Sequence, residues 1–211
     1  MVCKMALTKD FIIGRSIEIL NRDGIDGLTM RLLAKELNIK APSLYWHFSD
    51  KAELFAAISE KLCERMDLPE RTAAPSELLT YIFSRFREIL LSVRDSVYVF
   101  ENSVPFTPKR LELIRMVADA FLRMGIRPEN LVTVSNMFNN YVLSFTADES
   151  RFKATTGDLF DEFAGKLEQR DRLVFAVPHD FDGQFAYGLM LLFEGLERVK
   201  HKSLTGAAAD S

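Results

Sequence analysis

The stretch LTMRLLAKELNIKAPSLYWHFSDKAEL, residues 28–54, has the pattern of two short helices joined by a tight turn. Thr29 is a favourable N-cap for the first helix, and Pro42 is well placed in the first turn of the second. Between them lies Asn38, a residue that tolerates the left-handed backbone conformation better than most. The spacing therefore predicts a helix-turn-helix unit over residues 29–48.

The apolar residues of this unit predict which face of its second helix is exposed. Ala34 is small enough to let the two helices cross closely, whereas Ile39, Leu44 and Phe48 hold the second helix against the first. The positions left facing outward are 41, 42, 43, 45 and 46. In a helix-turn-helix, the second helix lies in the major groove of DNA and its N-terminal residues meet the base edges. We therefore expect double-stranded DNA as a partner.

Three large side chains, Tyr45, Trp46 and His47, crowd a helix that is too short to bury them all. Bound DNA would cover them, with the Tyr45 hydroxyl on a phosphate or its ring on a thymine methyl group. His47 and Lys51 are candidates for further phosphate contacts, and Arg31 for guanine or the backbone. The alternative is that Tyr45 and Trp46 pack against the first helix or a neighbour within the chain.

The whole stretch 28–54 resembles the DNA-binding domain of the TetR family of bacterial repressors, and LYWHFSDKAEL (44–54) resembles its tetracycline-repressor branch. A weaker likeness continues along the chain, where FAYGLMLLFEGLE (185–197) resembles the last dimerisation helix of that branch. The resemblance implies an all-α fold. In it, an N-terminal three-helix helix-turn-helix domain precedes a larger helical domain for ligand binding and dimerisation.

Matched by motif position, the resemblance also implies which residues contact DNA. Met30 and Ala41 stand where the branch has polar base-reading residues, so we expect a different operator sequence. Ala41 can make at most an apolar contact. The candidate DNA-binding residues are Arg31, Ala41, Pro42, Ser43, Tyr45, Trp46, His47 and Lys51.

Helical periodicity runs through nearly the whole chain, and strand signals are almost absent. Thr8 is a candidate cap for a first helix ending near Asp23-Gly24, and Asp50 with Glu53 forms a capping pair for a fourth. Later helices are predicted near residues 76–93, 95–101, 107–124, 128–147, 158–175 and 182–199. The predicted domains are 1–66 for DNA binding, 67–202 for effector binding and dimerisation, and 203–211 as a disordered tail.

The composition bounds the environment of the protein. No apolar run approaches the roughly 18 residues needed to cross a bilayer, and the N-terminus lacks the pattern of a signal peptide. Two cysteines, Cys3 and Cys63, are too few for a disulfide framework, which fits a reducing cytoplasm. The net charge of −3 and the lack of a basic tract mean that DNA contact must depend on a few well-placed groups. We expect a cytoplasmic protein with no membrane partner.

We expect a homodimer, because one helix-turn-helix contacts only one half-site of a near-palindromic operator. The last predicted helix offers a surface for it. Gly188 and Gly195 each cost about 1 kcal/mol relative to alanine inside a helix, which indicates close approach of another helix. That helix belongs either to a partner subunit, as the resemblance implies, or to the same chain. The predicted dimerisation residues are Phe185, Gly188, Leu189, Leu192, Gly195 and Leu196.

Phenylalanine and methionine recur at helical spacing in the middle of the chain. Such stripes are usually core, but methionine packs loosely, and aromatic-lined cavities are typical of small-molecule sites. The candidate effector-binding residues are Phe83, Phe86, Phe100, Arg115, Met116, Met137, Phe138, Asn140 and Tyr141. Where the resembled branch holds a magnesium-bound drug with polar side chains, this chain has Phe100, Ile82, Met66 or Asp67, and Ala147. We therefore expect a more apolar effector, with no metal and no cofactor.

Only His179, Asp180 and Asp182 resemble a cluster for metal or acid–base chemistry, and their place before a helix favours a loop with Asp182 as the N-cap. The chain has no GxSxG motif and no Gly-rich phosphate loop. The sequence thus predicts a ligand-responsive homodimeric transcriptional repressor and not an enzyme. The alternatives are an effector-free DNA-binding regulator and, less favoured, a small metal-dependent hydrolase.

Overall fold

The computed structural model describes residues 7–68, 74–154, 166 and 180–202, and all regular structure in these residues is helical. This confirms the predicted all-α class. The described helices are α1 Lys9–Gly27, α2 Met30–Glu36, α3 Ala41–Tyr45, α4 Lys51–Cys63, α5 Pro75–Leu91, α6 Ser96–Glu101, α7 Pro108–Arg123, α8 Leu131–Ala154 and α9 Phe181–Val199, with a 3₁₀ turn at Pro128–Asn130. The helix predicted at 158–175 and the tail predicted at 203–211 lie outside the described residues. None of the described helices is both long and apolar enough to span a membrane.

Helices α1, α2 and α4 begin where the predicted capping residues place them. The side chains of Thr8 and Thr29 each accept a hydrogen bond from a backbone N–H in the first turn of α1 and α2. Asp50 accepts from the backbone N–H of Glu53 at 2.8 Å, and the Glu53 carboxylate accepts from that of Ser49 at 2.7 Å. Such reciprocal bonds satisfy donors that a helix start otherwise leaves unpaired.

The two last described helices differ from the predicted bounds. The start of α9 is capped by Asp180, whose carboxylate accepts from the backbone N–H of Gly183 at 2.8 Å, so the prediction of Asp182 as the cap is wrong. At its far end α8 continues to Ala154 instead of stopping near 147. Its last turns are polar but lack glycine and proline, and the i,i+4 pair of Glu149 with Lys153, at 2.6 Å, supports helix there.

The chain divides into two compact units. Unit 1 comprises the described residues 7–68 and 85–116, and unit 2 comprises 74–84, 117–154 and 180–202. The helix-turn-helix region therefore shares a unit with the segment 85–116, which the sequence reading assigned to the second domain.

Unit 1 ties the end of α1 to the turn between α5 and α6. The Asp95 carboxylate accepts a hydrogen bond from the backbone N–H of Ile25 at 2.7 Å, and the Asn21 side chain accepts one from that of Arg94 at 3.0 Å. Gly24 interrupts the helical path with φ 73°, and a Cβ there would lie 2.8 Å from the Asp95 carboxylate. Glycine is needed at this position both for the positive φ and for the close approach.

Unit 2 is built on a cluster of aromatic rings. The ring of Phe138 lies 5.4 Å from Phe83, 5.1 Å from Phe121 and 4.8 Å from Phe193 between centroids. Phe83, Phe121 and Phe138 are buried. Ring pairs at these separations stabilise the fold beyond the contribution of their buried area. The cluster is therefore the core of this unit.

Candidate nucleic-acid interface

The turn between α2 and α3 has the geometry that a helix-turn-helix requires. Asn38 adopts φ 53°, which confirms its predicted left-handed conformation. The backbone N–H of Ile39 donates to the carbonyl of Ala34 at 3.0 Å and closes the turn. Leu44 and Phe48, at 0% and 1% exposure, hold the second helix of the unit on its core. Anchored in this way, α3 presents its other face to solvent.

The aromatic side chains at the end of α3 point away from the protein. Trp46 is 90% exposed and Tyr45 51% exposed, so Trp46 does not pack against α1 or another part of its own unit. His47 is half-buried beside them. Lys51, at the start of α4, is also half-buried, with its Nζ 5.2 Å from the ring centroid of Phe55. The exposed rings of Tyr45 and Trp46 are therefore accessible to a large partner.

A surface depression of about 500 Å³ lies beside the start of α3. It is lined by Arg31, Ala34, Lys35, Asn38, Ile39, Lys40 and Ala41. Arg31 and Ala41 were predicted to contact DNA, whereas Lys35 and Lys40 were not. The sequence signal for Lys40 is its place directly before α3. The DNA contacts that the resemblance implies do not include residue 40.

The lysines and arginines of this region fall into two groups. Arg31, Lys35 and Lys40 are exposed, and within the described part of the chain none of them carries an ion pair. Arg22 and Lys61, in contrast, are paired with carboxylates away from the depression. Hydrogen bonding raises the pKa of both, through Asp23 first for Arg22 and through Glu64 first for Lys61. Three cations around the depression thus have no carboxylate partner among the described residues, and the phosphates of a DNA backbone would provide one.

The predicted effector-binding residues are distributed over both units. Phe83 and Phe138 belong to the ring cluster that forms the core of unit 2, and Phe100 is buried in unit 1. Phe86 lies against Phe100 with 5.1 Å between ring centroids. The exposed members of the set are Arg115, Met137 and Asn140, and the half-buried ones are Phe86, Met116 and Tyr141.

Arg110, which the sequence reading did not single out, accompanies Phe100. Its guanidinium carbon lies 4.9 Å from the ring centroid of Phe100, and it donates to the Phe100 carbonyl at 3.2 Å and to Ser103 Oγ at 2.7 Å. Burial lowers the pKa of Arg110. This stack over an aromatic face, with two hydrogen bonds, fixes the guanidinium in place.

The predicted dimerisation residues on α9 occupy different environments. Phe185, Leu189 and Leu196 are buried within the chain and attach α9 to its own unit. Gly188 faces Tyr141, because a Cβ there would overlap the Tyr141 hydroxyl, so its partner is a helix of the same chain. At Gly195 a Cβ would meet no atom of the described residues within 4 Å. Leu192 is half-buried.

A second apolar face of α9 remains exposed. Tyr187, Met190 and Leu191 are 60%, 48% and 53% exposed, and their spacing places them on one side of the helix. On α8, Val132 and Met137 are exposed as well, at 71% and 53%. Sequence reasoning missed this face because α9 is apolar on two sides, and the more regular stripe proved to be the inward one.

In the described ranges, no group of three or more His, Cys, Asp or Glu side chains is placed to hold a metal ion. Of the predicted acidic cluster, His179 lies outside those ranges and Asp180 serves as the cap of α9. Capping α9 is thus a structural role for the Asp180 carboxylate.

Two family models match the chain. Residues 12–58 match the bacterial regulatory proteins of the tetR family, and residues 76–200 match the tetracyclin repressor-like C-terminal domain. The first match contains α2, α3 and the depression beside them, and the second extends over α5 to α9.

Individual proteins agree with these matches. The tetracycline repressor protein class C of Escherichia coli is 26% identical over 202 residues, with 92% of each chain covered. A single-substitution variant of TetR from Acinetobacter baumannii AYE, solved with minocycline, is 28% identical with a TM-score of 0.74, over 93% of this chain and 96% of its own. BioQ, solved with its double-stranded DNA operator, is 26% identical with a TM-score of 0.68, over 90% and 98%.

Proposed function

The chain belongs to the tetR family of bacterial regulatory proteins, and on that premise we propose that it is a homodimeric repressor acting in the cytoplasm. It binds a near-palindromic operator and is released by a small, largely apolar effector. The observation that carries the proposal is the exposed face of α3. There, Trp46 and Tyr45 extend into solvent beside a depression whose cations have no ion pair with any described residue.

The DNA-binding step follows from this surface. Two copies of α3 entering successive major grooves would lie about 34–36 Å apart, which sets the spacing of the half-sites. Arg31, Lys35 and Lys51 serve the phosphate backbone, and the outward residues of α3 serve the bases. The relative BioQ, solved with a double-stranded operator, supports this mode of binding.

The dimer is proposed to form through the outward face of α9 together with α8. Tyr187, Met190 and Leu191 supply exposed apolar area, and at Gly195 no described residue stands in the way of a partner helix. Phe185, Leu189 and Leu196 then act indirectly, because they hold α9 in the orientation that exposes this face.

The effector is proposed to contact the candidate residues that are not closed into a core. In unit 1, half-buried Phe86 and Met116 provide apolar surface, and exposed Arg115 provides a polar group. The TetR variant solved with minocycline is a related chain that binds a small molecule, which supports a small-molecule effector for this protein. Phe100, also in unit 1, stands where the resemblance implies a polar ligand to a magnesium-bound drug, which favours an effector that binds without metal.

The DNA-binding proposal is tested directly by tryptophan fluorescence, because Trp46 is the single tryptophan of the chain. The purified protein is titrated with duplex DNA from upstream of its own gene and with a scrambled duplex of equal composition. We expect quenching at lower DNA concentration for the upstream duplex, and an affinity that falls steeply as salt rises. Equal affinity for both duplexes would sink the proposal.

The effector proposal is tested on the same complex. A panel of aromatic polycyclic compounds is added to the protein–DNA complex, with and without magnesium, and release of a labelled duplex is followed by fluorescence anisotropy. We expect at least one apolar compound to release the DNA without magnesium. If no compound changes the affinity for DNA or the melting temperature, the effector-free alternative is favoured.

A further inference from the structure

We propose that Lys40 is the base-reading residue at the start of α3 and that it selects guanine in each half-site. The proposal rests on the proposed DNA-binding function and names what that surface recognises. Lys40 lies outside the set of DNA contacts that motif position implies, and its assignment depends on the geometry around the depression.

The first argument is elimination among the side chains at the start of α3. Ala41 and Pro42 are exposed, but neither side chain has a hydrogen-bonding group, and Ser43 is half-buried. Lys40 directly precedes them with an extended backbone, φ −76° and ψ 141°, and its side chain makes no capping bond. The N-terminal residues of a recognition helix face the base edges. Of these four positions, Lys40 alone presents a hydrogen-bond donor on an exposed side chain.

The second argument is that Lys40 is not engaged elsewhere. It is exposed and lines the depression, and in the described part of the chain no carboxylate pairs with it. The neighbouring acid Glu36 is paired with Arg22 at 2.9 Å instead. The ammonium group is therefore available to a partner without breaking an internal ion pair.

The chemistry of the ammonium group determines the base. Lysine has three donors and no acceptor. In the major groove guanine presents two adjacent acceptors, O6 and N7, whereas adenine presents one acceptor beside a donor. Lys40 therefore favours guanine, while Ala41 and Pro42 offer the apolar contact that suits the methyl group of a neighbouring thymine.

Lys35 is the matched control. It lines the same depression, carries the same charge, is exposed and has no ion pair among the described residues. It belongs to α2, and the first helix of such a unit crosses the DNA backbone instead of entering the groove. A phosphate contact by Lys35 adds affinity without sequence preference.

The test compares the wild-type protein with the variants Lys40→Ala, Lys40→Gln and Lys35→Ala. Each full-length protein selects bound duplexes from a random DNA pool, and affinities are then measured for the wild-type consensus with each base at each half-site position. Thermal melts confirm that all four proteins are folded.

For the wild type we expect guanine at one position of each half-site, preferred about tenfold over the other bases. Lys40→Ala loses the preference at that position alone. Lys40→Gln shifts it towards adenine, because glutamine pairs with adenine N6 and N7. Lys35→Ala keeps every preference, binds all sequences more weakly by a similar factor, and shows a smaller salt dependence.

The proposal is overturned if Lys40→Ala behaves like Lys35→Ala, because Lys40 is then a phosphate contact. It is also overturned if the preferred bases of Lys40→Ala and the wild type are the same. If the wild type selects no sequence at all, the proposed function itself fails, and that result is distinguishable from both outcomes above.

Discussion

The carboxylate of Glu60, on α4, accepts a hydrogen bond from the backbone N–H of Lys109, in the first turn of α7, at 2.7 Å. Its other oxygen accepts from the N–H of Arg110 at 3.2 Å. These groups are left without partners at any helix start, and a local side chain usually satisfies them. Thr107 precedes α7 in the expected place, yet its hydroxyl is buried and has no hydrogen-bond partner in the described part of the chain. A residue 49 positions earlier in the chain therefore caps the helix.

This contact predicts that replacing Glu60 destabilises the protein, although the side chain is only half-buried. Replacing Glu60 with alanine leaves two N–H groups of α7 without an acceptor, so we expect the free energy of unfolding to fall by about 1–3 kcal/mol. Glu18→Ala removes a carboxylate from an exposed i,i+3 pair with Arg15 and should change it by less than about 0.5 kcal/mol. Denaturant unfolding monitored by circular dichroism measures both. Equal values for the two variants would show that the cap contributes nothing.

The start of α4 predicts a defined dependence on pH. The hydrogen bond from the Ser49 backbone lowers the pKa of Glu53 below its ordinary value of 4.5, with a smaller effect of Lys9. A carboxylate whose pKa is lowered on folding stabilises the protein fully above that ordinary value and loses the contribution as pH falls. We expect the wild type to be more stable than Glu53→Gln at pH 7, and the difference to shrink below about pH 4.5. Thermal melts of both proteins from pH 7 to pH 3 test this, and a constant difference would contradict it.

Burial predicts that Cys63 is chemically inert in the folded protein. Its side chain is 2% exposed, and desolvation raises the pKa of the thiol to about 12. Since the thiolate is the reactive form, a Cys3→Ser protein should react with Ellman's reagent at pH 8 only after unfolding in guanidinium chloride. Rapid labelling of the native protein would mean that this part of unit 1 opens readily.

The comparison of sequence with structure separates local from non-local effects. The turn at Asn38 and the caps at Thr8, Thr29 and Asp50 were predictable because each depends on residues within a few positions. The cap that Glu60 places on α7 was not, since it joins residues far apart in the chain. The continuation of α8 past residue 147 does not follow from apolar periodicity, because its last turns are polar, although no glycine or proline interrupts them.

The candidate DNA surface was predictable in part for the same reason. The exposure of Trp46 follows from its position relative to Leu44 and Phe48, which are anchored within the same short unit. The role of Gly188 depends on Tyr141, which belongs to another helix, and the sequence left open which chain would supply its neighbour. Two equally small residues in one helix thus required structure to be told apart.

These two glycines give the sharpest prediction for unit 2. Tyr141 cannot move freely from Gly188, because its hydroxyl donates to the Phe185 carbonyl at 3.0 Å and its ring stacks on Phe185 with 5.4 Å between centroids. Gly188→Ala should therefore lower the free energy of unfolding by about 1–3 kcal/mol through overpacking. None of the described residues opposes a methyl group at Gly195, where alanine alone would favour the helix by about 1 kcal/mol.

In the proposed dimer, alanine at Gly195 is unfavourable for association, although it favours the helix within one chain. If a partner helix approaches there, Gly195→Ala interferes with association, so we expect the dimer dissociation constant to rise while that of Gly188→Ala changes less. Sedimentation velocity over a range of concentrations gives the dissociation constants, and thermal melts at fixed concentration give the stabilities. A Gly195→Ala protein that melts higher and dimerises as tightly as the wild type would place this glycine outside the interface. The contact between subunits would then have to lie nearer Tyr187, at the other end of the exposed face of α9.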